Sequence, residues 1–229
     1  MKQLFLSLII FCCTLNIYAE KDVTTFLGIP VDGTKEEMFQ KLRQKGFTVS
    51  PHNPEVLIGE FNGEDVEIVV VTNKNRVWRI GVLDTEPKDE IIIKRKFNRL
   101  CSQFENHANY ISPVPQGAFN IPEDEDISFE MAMGNKLYSA TFYQMLKYPI
   151  DTIGFTNLIK ETLLSEIPEK IDTITPEMIN DVKEQLIRQI ISDKIEKKSV
   201  GVAIMESNGQ YVIGLCYDNM YNQANGEDL

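Results

Sequence analysis

Histidine is nearly missing from this chain: His52 and His107 are the two among 229 residues. A serine triad or an imidazole-based metal site needs histidine beside its partners. His52 lies in a proline-rich loop, and His107 ends a predicted helix six positions after Cys101, facing away from that thiol. Both read as surface residues. HExxH, GxSxG, a glycine-rich phosphate loop and Cys-x-x-Cys are absent as well, so no residue is assigned a catalytic, cofactor-binding or metal-binding role. Positive charge is scarce, with 23 Lys and Arg against 34 Asp and Glu, a formal charge of -11. That sign argues against nucleic acid and against anionic membrane surfaces as partners.

Long apolar runs are confined to the start. Lys2 precedes the apolar stretch Leu4 to Leu15, which is too short to span a bilayer as a helix, and Ile17-Tyr18-Ala19 follows with a small residue at the expected cut. Residues 1–19 read as a secretory signal peptide cleaved near Ala19, which leaves a periplasmic or secreted mature chain from about Glu20. A lipoprotein reading is weaker, because Phe11 precedes Cys12 and Cys12 precedes Cys13 where a small residue belongs. No later stretch is long enough to cross a membrane, and loss of Lys2 takes the charge of -11 to -12. Cleavage leaves two of the 4 cysteines, Cys101 and Cys216. Export permits a disulfide between them, while Cys101, on an apolar helix face with Phe97, Leu100 and Phe104, also reads as a small core residue.

What is present is a succession of short elements. Thr34 and Glu37 form a capping box for a helix over 35–45, with Met38, Phe39 and Leu42 as its apolar stripe. Val56 to Phe61, Asp65 to Thr72 and Arg76 to Leu83 read as a three-stranded meander turning at Asn62-Gly63 and Lys74-Asn75. That second turn pairs Val71 with Trp78 and Val69 with Ile80. A helix over 88–108 follows, then a Pro-rich loop ending in the acidic run Glu123 to Asp126, which reads as solvated rather than as a calcium loop. Ile127 to Met133 and Lys136 to Phe142, around Gly134-Asn135, alternate like a half-buried hairpin with Ile127, Phe129 and Met131 facing the core. Helices are predicted over 151–165 and from Thr175 to about Ile195. A last hairpin turns at Asn208-Gly209, pairing Val202 with Leu215 and Gly201 with Cys216. The predicted fold is α+β: an antiparallel meander and hairpins with helices packed on one side. The mature chain, 20–229, reads as one domain with two candidate helix-plus-sheet halves, 20–112 and 123–229.

The segments FLGIPVDGTKEEMFQKLRQKGF and YDNMYNQANGEDL resemble a family of uncharacterised exported proteins from gut-dwelling Gram-negative anaerobes. The capped helix followed by a meander is also similar to the helix-then-sheet module of β-lactamase inhibitor protein and of SmpA/OmlA-type assembly lipoproteins. That second resemblance implies a binding module. The expected function is therefore interaction with another envelope protein or envelope component, anchored by the strand aromatics Trp78, Tyr138, Tyr211 and Tyr217. The alternative is an enzyme or small-ligand binder acting on envelope carbohydrate or peptide, which requires a pocket with two convergent acidic groups. A purely structural envelope protein would instead self-associate.

Overall fold

The computed structural model describes residues 22–147, 188–189 and 191–224. Residues 23–145 and 195–229 form one compact unit, and residues 1–22 with 146–194 form another. The architecture below is that of the first. The predicted helix over 151–165 and most of the one from Thr175 lie outside the described residues; 188–189 and 191–196 are helical.

A small hairpin, β1 (Thr25–Phe26) and β2 (Ile29–Pro30), leads into α1 (Lys35–Gln44). The Thr34 hydroxyl accepts from the Glu37 amide, and the Glu37 carboxylate accepts from the Thr34 amide, so the capping box forms as expected. Four strands follow: β3 (Thr48–Val49), β4 (Val56–Phe61), β5 (Glu64–Asn73) and β6 (Arg76–Asp84). Then come α2 (Glu90–Glu105), β7 (Tyr110–Ile111), α3 (Ile127–Met133), β8 (Ser139–Gln144), β9 (Lys198–Ser207) and β10 (Gln210–Asn219).

The strands make an antiparallel eight-stranded sheet in the order β3-β4-β5-β6-β10-β9-β8-β7. Its halves run alike: a helix, then four strands wound from the outer edge to the centre, with α2 heading the second set. They meet where β6 pairs β10. Alternation puts Val66, Ile68, Val70, Ile80, Val82, Val202, Ile204, Ile213 and Leu215 on one buried face, in a common core with Met38 and Leu42 of α1 and Ile93, Phe97 and Cys101 of α2. The protein is therefore α+β, with its helices against an antiparallel sheet.

Two local expectations are corrected. The turn at Lys74-Asn75 forms as read, both residues in the left-handed region, and pairs Asn73 with Arg76 and Thr72 with Val77. The register then shifts, and Val71 pairs Arg79. Trp78 is the extra residue of a β-bulge, so Val71 does not meet Trp78, nor Val69 Ile80. Val70 pairs Ile80 instead, and Val69 is exposed.

The second correction concerns residues 127–142, which are not a hairpin. Asp126 accepts a hydrogen bond from the Phe129 amide at 2.8 Å and caps a helix. Asn135, at φ 49°, then turns the chain out of it. A seven-residue run cannot separate a period of 2 from one of 3.6, and the carboxylate at the N-cap decides in favour of helix. β8 pairs with β9 and β7 instead.

Close packing fixes at least one glycine. A Cβ on Gly59 of β4 would lie 2.6 Å from Cδ1 of Phe47, a ring that is 3% exposed. Gly59→Ala should cost about 1–3 kcal/mol in urea unfolding, because the buried ring has to move. A cost near zero would mean the Phe47 ring is free to swing away.

The first and last described stretches of this unit are tied into it. Gln144 grips Thr25 at both its amide and its carbonyl, each at 2.7 Å. Asn219, fully buried, donates to the Val31 carbonyl, and Asn222 donates to the Val77 carbonyl, both at 2.8 Å. These bonds give a structural role to the first part of the asparagine-rich tail.

Candidate functional site

α3 is short, and its surroundings are anchored from below. Lys94 of α2 is buried and donates to the carbonyls of Glu123 and Glu125 at 2.8 and 2.6 Å, pinning the backbone of the acidic run. Glu90, in the first turn of α2, accepts from the Ile127 amide at 3.0 Å and from the Ser128 hydroxyl at 2.6 Å. Burial pushes the Glu90 carboxyl up, but Ser128, the Ile127 amide and Lys94 outweigh it and hold the group below its usual value. Its bonds to α3 therefore act with the carboxylate charged, and they weaken only as acid protonates it.

One side of α3 is buried through Ile127, at 0% exposure. The other presents Phe129 and Met133, one helical turn apart, and Leu137 just beyond the helix, at 59%, 72% and 82% exposure. Ile91 and Ile92, next to Glu90 in the first turn of α2, are exposed too. Of ten large apolar side chains exposed among the described residues, three fall on α3 or just after it, and Ile91 and Ile92 lie in the turn of α2 whose Glu90 bonds α3. Isolated exposed apolar residues are ordinary, but a cluster marks an interaction surface. Its border is acidic: the segment from Glu123 to Leu137 holds Glu123, Asp124, Glu125, Asp126 and Glu130 against Lys136 alone. The Glu123 side chain is 90% exposed, so this border faces solvent.

The predicted aromatic anchors are positioned otherwise. Tyr138, Tyr211 and Tyr217 are buried, at 5%, 4% and 4% exposure. The Tyr138 hydroxyl bonds to the Glu125 carboxylate; burial, and that acceptor next, push the phenol above its ordinary value. The Tyr211 hydroxyl lies 2.7 Å from Ser128 Oγ. Both tyrosines therefore hold the N-terminal end of α3 in place and do not themselves face a partner. Tyr217 packs against Phe26, ring centroids 4.9 Å apart. Trp78 is half-buried beneath the Arg79 guanidinium, 4.5 Å from its ring, and Arg79 forks onto Asp218 at 2.6 and 2.7 Å. The structure thus brings two of the four together at α3, with Tyr217 and Trp78 elsewhere.

No family model, curated protein or solved structure matches this chain.

Cys101 and Cys216 are both free thiols. Cys101 belongs to the core between α2 and the sheet, where Leu215 and Tyr217 of β10 also point; Cys216 alternates to the opposite face of that strand. The sheet stands between them, and the candidate disulfide does not form. Burial pushes the Cys101 thiol up to about 12, which keeps it protonated and unreactive at neutral pH. Among the described residues, no three of His, Cys, Asp and Glu are grouped to hold a metal ion, and no helix is long and apolar enough to cross a membrane.

Sequence reading missed Phe129, Met133 and Leu137. The available signal was Asp126 as an N-cap three residues before Phe129, with Phe129 and Met133 at a spacing of four.

Proposed function

We propose that the protein is exported and works as a protein-interaction module, docking a partner on the acid-bordered apolar surface of α3. The observation that carries this reading is the exposure of Phe129 and Met133 on α3, and of Leu137 just beyond it, with the helix hydrogen-bonded from beneath. Burying each such side chain against a partner contributes about 1.5–3 kcal/mol before the costs of association, enough for three to anchor a specific complex. The acidic border selects a partner whose apolar socket is rimmed by lysine and arginine, and steers its approach. The reading of residues 1–19 as a signal peptide supports a partner in the periplasm or outside the cell. The sequence resemblance of the capped helix and the meander after it to an inhibitor module supports the same reading.

The test is cross-linking of the full mature chain in its own envelope fraction, with cross-linked peptides mapped by mass spectrometry. One stoichiometric partner should cross-link within residues 123–137, dissociate more readily as salt rises, and be lost at least about tenfold by Phe129→Asp. A partner that Phe129→Asp retains, or that cross-links elsewhere, refutes the surface. Cross-links solely between copies of the chain establish the self-associating structural protein instead.

A further inference from the structure

A cleft of about 420 Å³ lies between the tip of the β4–β5 hairpin and the C-terminal half of α2. That volume falls within the roughly 300–1,000 Å³ usual for small-molecule sites. Leu215 and Tyr217 of β10 form its floor, and the rings of Phe61, Phe104 and Tyr110 stand along it. The rings are fixed in advance. Phe104 is stacked on Phe142 and meets Tyr110 edge-on, each at 4.9 Å, and the Tyr110 hydroxyl accepts from Gln144 Nε2 at 3.2 Å. A preformed wall spares a ligand part of the cost of ordering its site.

The rim has a different chemistry. Asn62, Gln103 and Asn106 line the cleft and are exposed, and Asn62 Nδ2 donates to Gln103 Oε1 at 3.1 Å between the hairpin tip and the helix. No Asp, Glu, Lys or Arg is among the residues lining it. Aromatic rings offer flat apolar faces to the C–H surface of a pyranose. Carboxamides both donate and accept, as sugar hydroxyls do. A charged ligand would surrender hydration here with only the His107 imidazole to face it, and a wholly apolar one would cover the remaining donors and acceptors of Asn62 and Gln103 without pairing them.

We infer that this cleft binds a neutral saccharide of one or two rings, at a site separate from the α3 surface and independent of the partner proposed there. Saturation-transfer NMR on the full mature chain tests it, with maltose, cellobiose, lactose and N,N′-diacetylchitobiose as probes at about 10 mM, tenfold above a Kd of about 1 mM. At least one should bind, and a hexuronate disaccharide should bind at least about tenfold more weakly. Gln103→Ala, an exposed change that leaves the core intact, should weaken binding about tenfold with its urea midpoint unchanged, and Phe61→Ala should weaken it further. The inference is overturned if no neutral sugar binds, if Gln103→Ala leaves binding unaltered, or if the uronate binds as well as its neutral counterpart.

Discussion

Replacing Lys96 with methionine is expected to destabilise the protein by about 3–5 kcal/mol, the usual cost of leaving one member of a buried ion pair alone. The Lys96 ammonium lies 2.9 Å from Asp84 and 3.3 Å from Glu64, with the Lys96 and Asp84 side chains each 6% exposed. The contact is ionic: Lys96 Nζ is buried and makes no well-aligned hydrogen bond. Asp84 also accepts from the Ile213 amide at 3.0 Å, so it joins the last strand of the first half, the helix of the second and the central strand β10. Without Lys96 that carboxylate keeps the amide and loses its counter-charge. Adding Asp84→Asn should restore most of the loss, since the amide oxygen still accepts from Ile213 and no charge stays buried. Urea unfolding of the single and double variants measures both steps. A loss below about 1 kcal/mol for Lys96→Met would assign the pair the modest worth of a solvated surface bridge.

The second large effect is in the β1–β2 strap, near the start of the described residues. Phe26 is 1% exposed, with its ring centroid 5.2 Å from that of Phe61 and 4.9 Å from that of Tyr217. Phe26→Ala should cost about 3–5 kcal/mol through lost burial and the cavity left behind. Its neighbour Leu27, 40% exposed, should tolerate alanine within about 0.5 kcal/mol. The contrast, read from paired urea curves, distinguishes a strap built into the core from one that only covers it. Equal effects at the two positions would show that the strap as a whole, and not the Phe26 ring, is what matters.

The parts of this fold that could be read in advance share a trait: their chemistry is local. The capping box at Thr34 involves residues three apart. The turns at Asn62-Gly63, Lys74-Asn75 and Asn208-Gly209 rest on residues that accept a positive φ. The final hairpin pairs Val202 with Leu215 as its turn requires. The bulge at Trp78 was illegible because it answers to pairing and packing across the sheet and leaves no mark in the turn itself. At residues 127–142, Gly134-Asn135 offered a turn that a hairpin and a helix end can both use, and apolar alternation was misleading over so short a span. The site suffered most from that ambiguity. As a strand, the segment would have buried Phe129; as a helix, it exposes it. Tyr138 and Tyr211 were read as partner anchors, but aromatics on a covered sheet face go to the core, and the two bond the start of α3 from beneath. The repetition of helix followed by strands hinted at two similar runs, but the candidate halves 20–112 and 123–229 put α2 and β7 in the first, whereas in the sheet they begin the second. The central seam of the sheet was not legible, since no local pattern announces that β6 pairs with β10.

That seam also orders the life of the chain in time. Each half is wound from its margin inward, so the two strands at the centre, β6 and β10, are the last of their respective runs to be made. β6 is complete at Asp84, but its partner ends at Asn219, and the register joins Arg79 to Asp218 across 139 positions of sequence. During synthesis β6 has one neighbour and one bare margin of unpaired amides and carbonyls, beside the apolar Val77, Ile80 and Val82. Closure of so distant a pair carries a large loop entropy and comes late. The molecule is therefore most vulnerable to wrong pairing while its first half is already shaped and its last strand has yet to arrive.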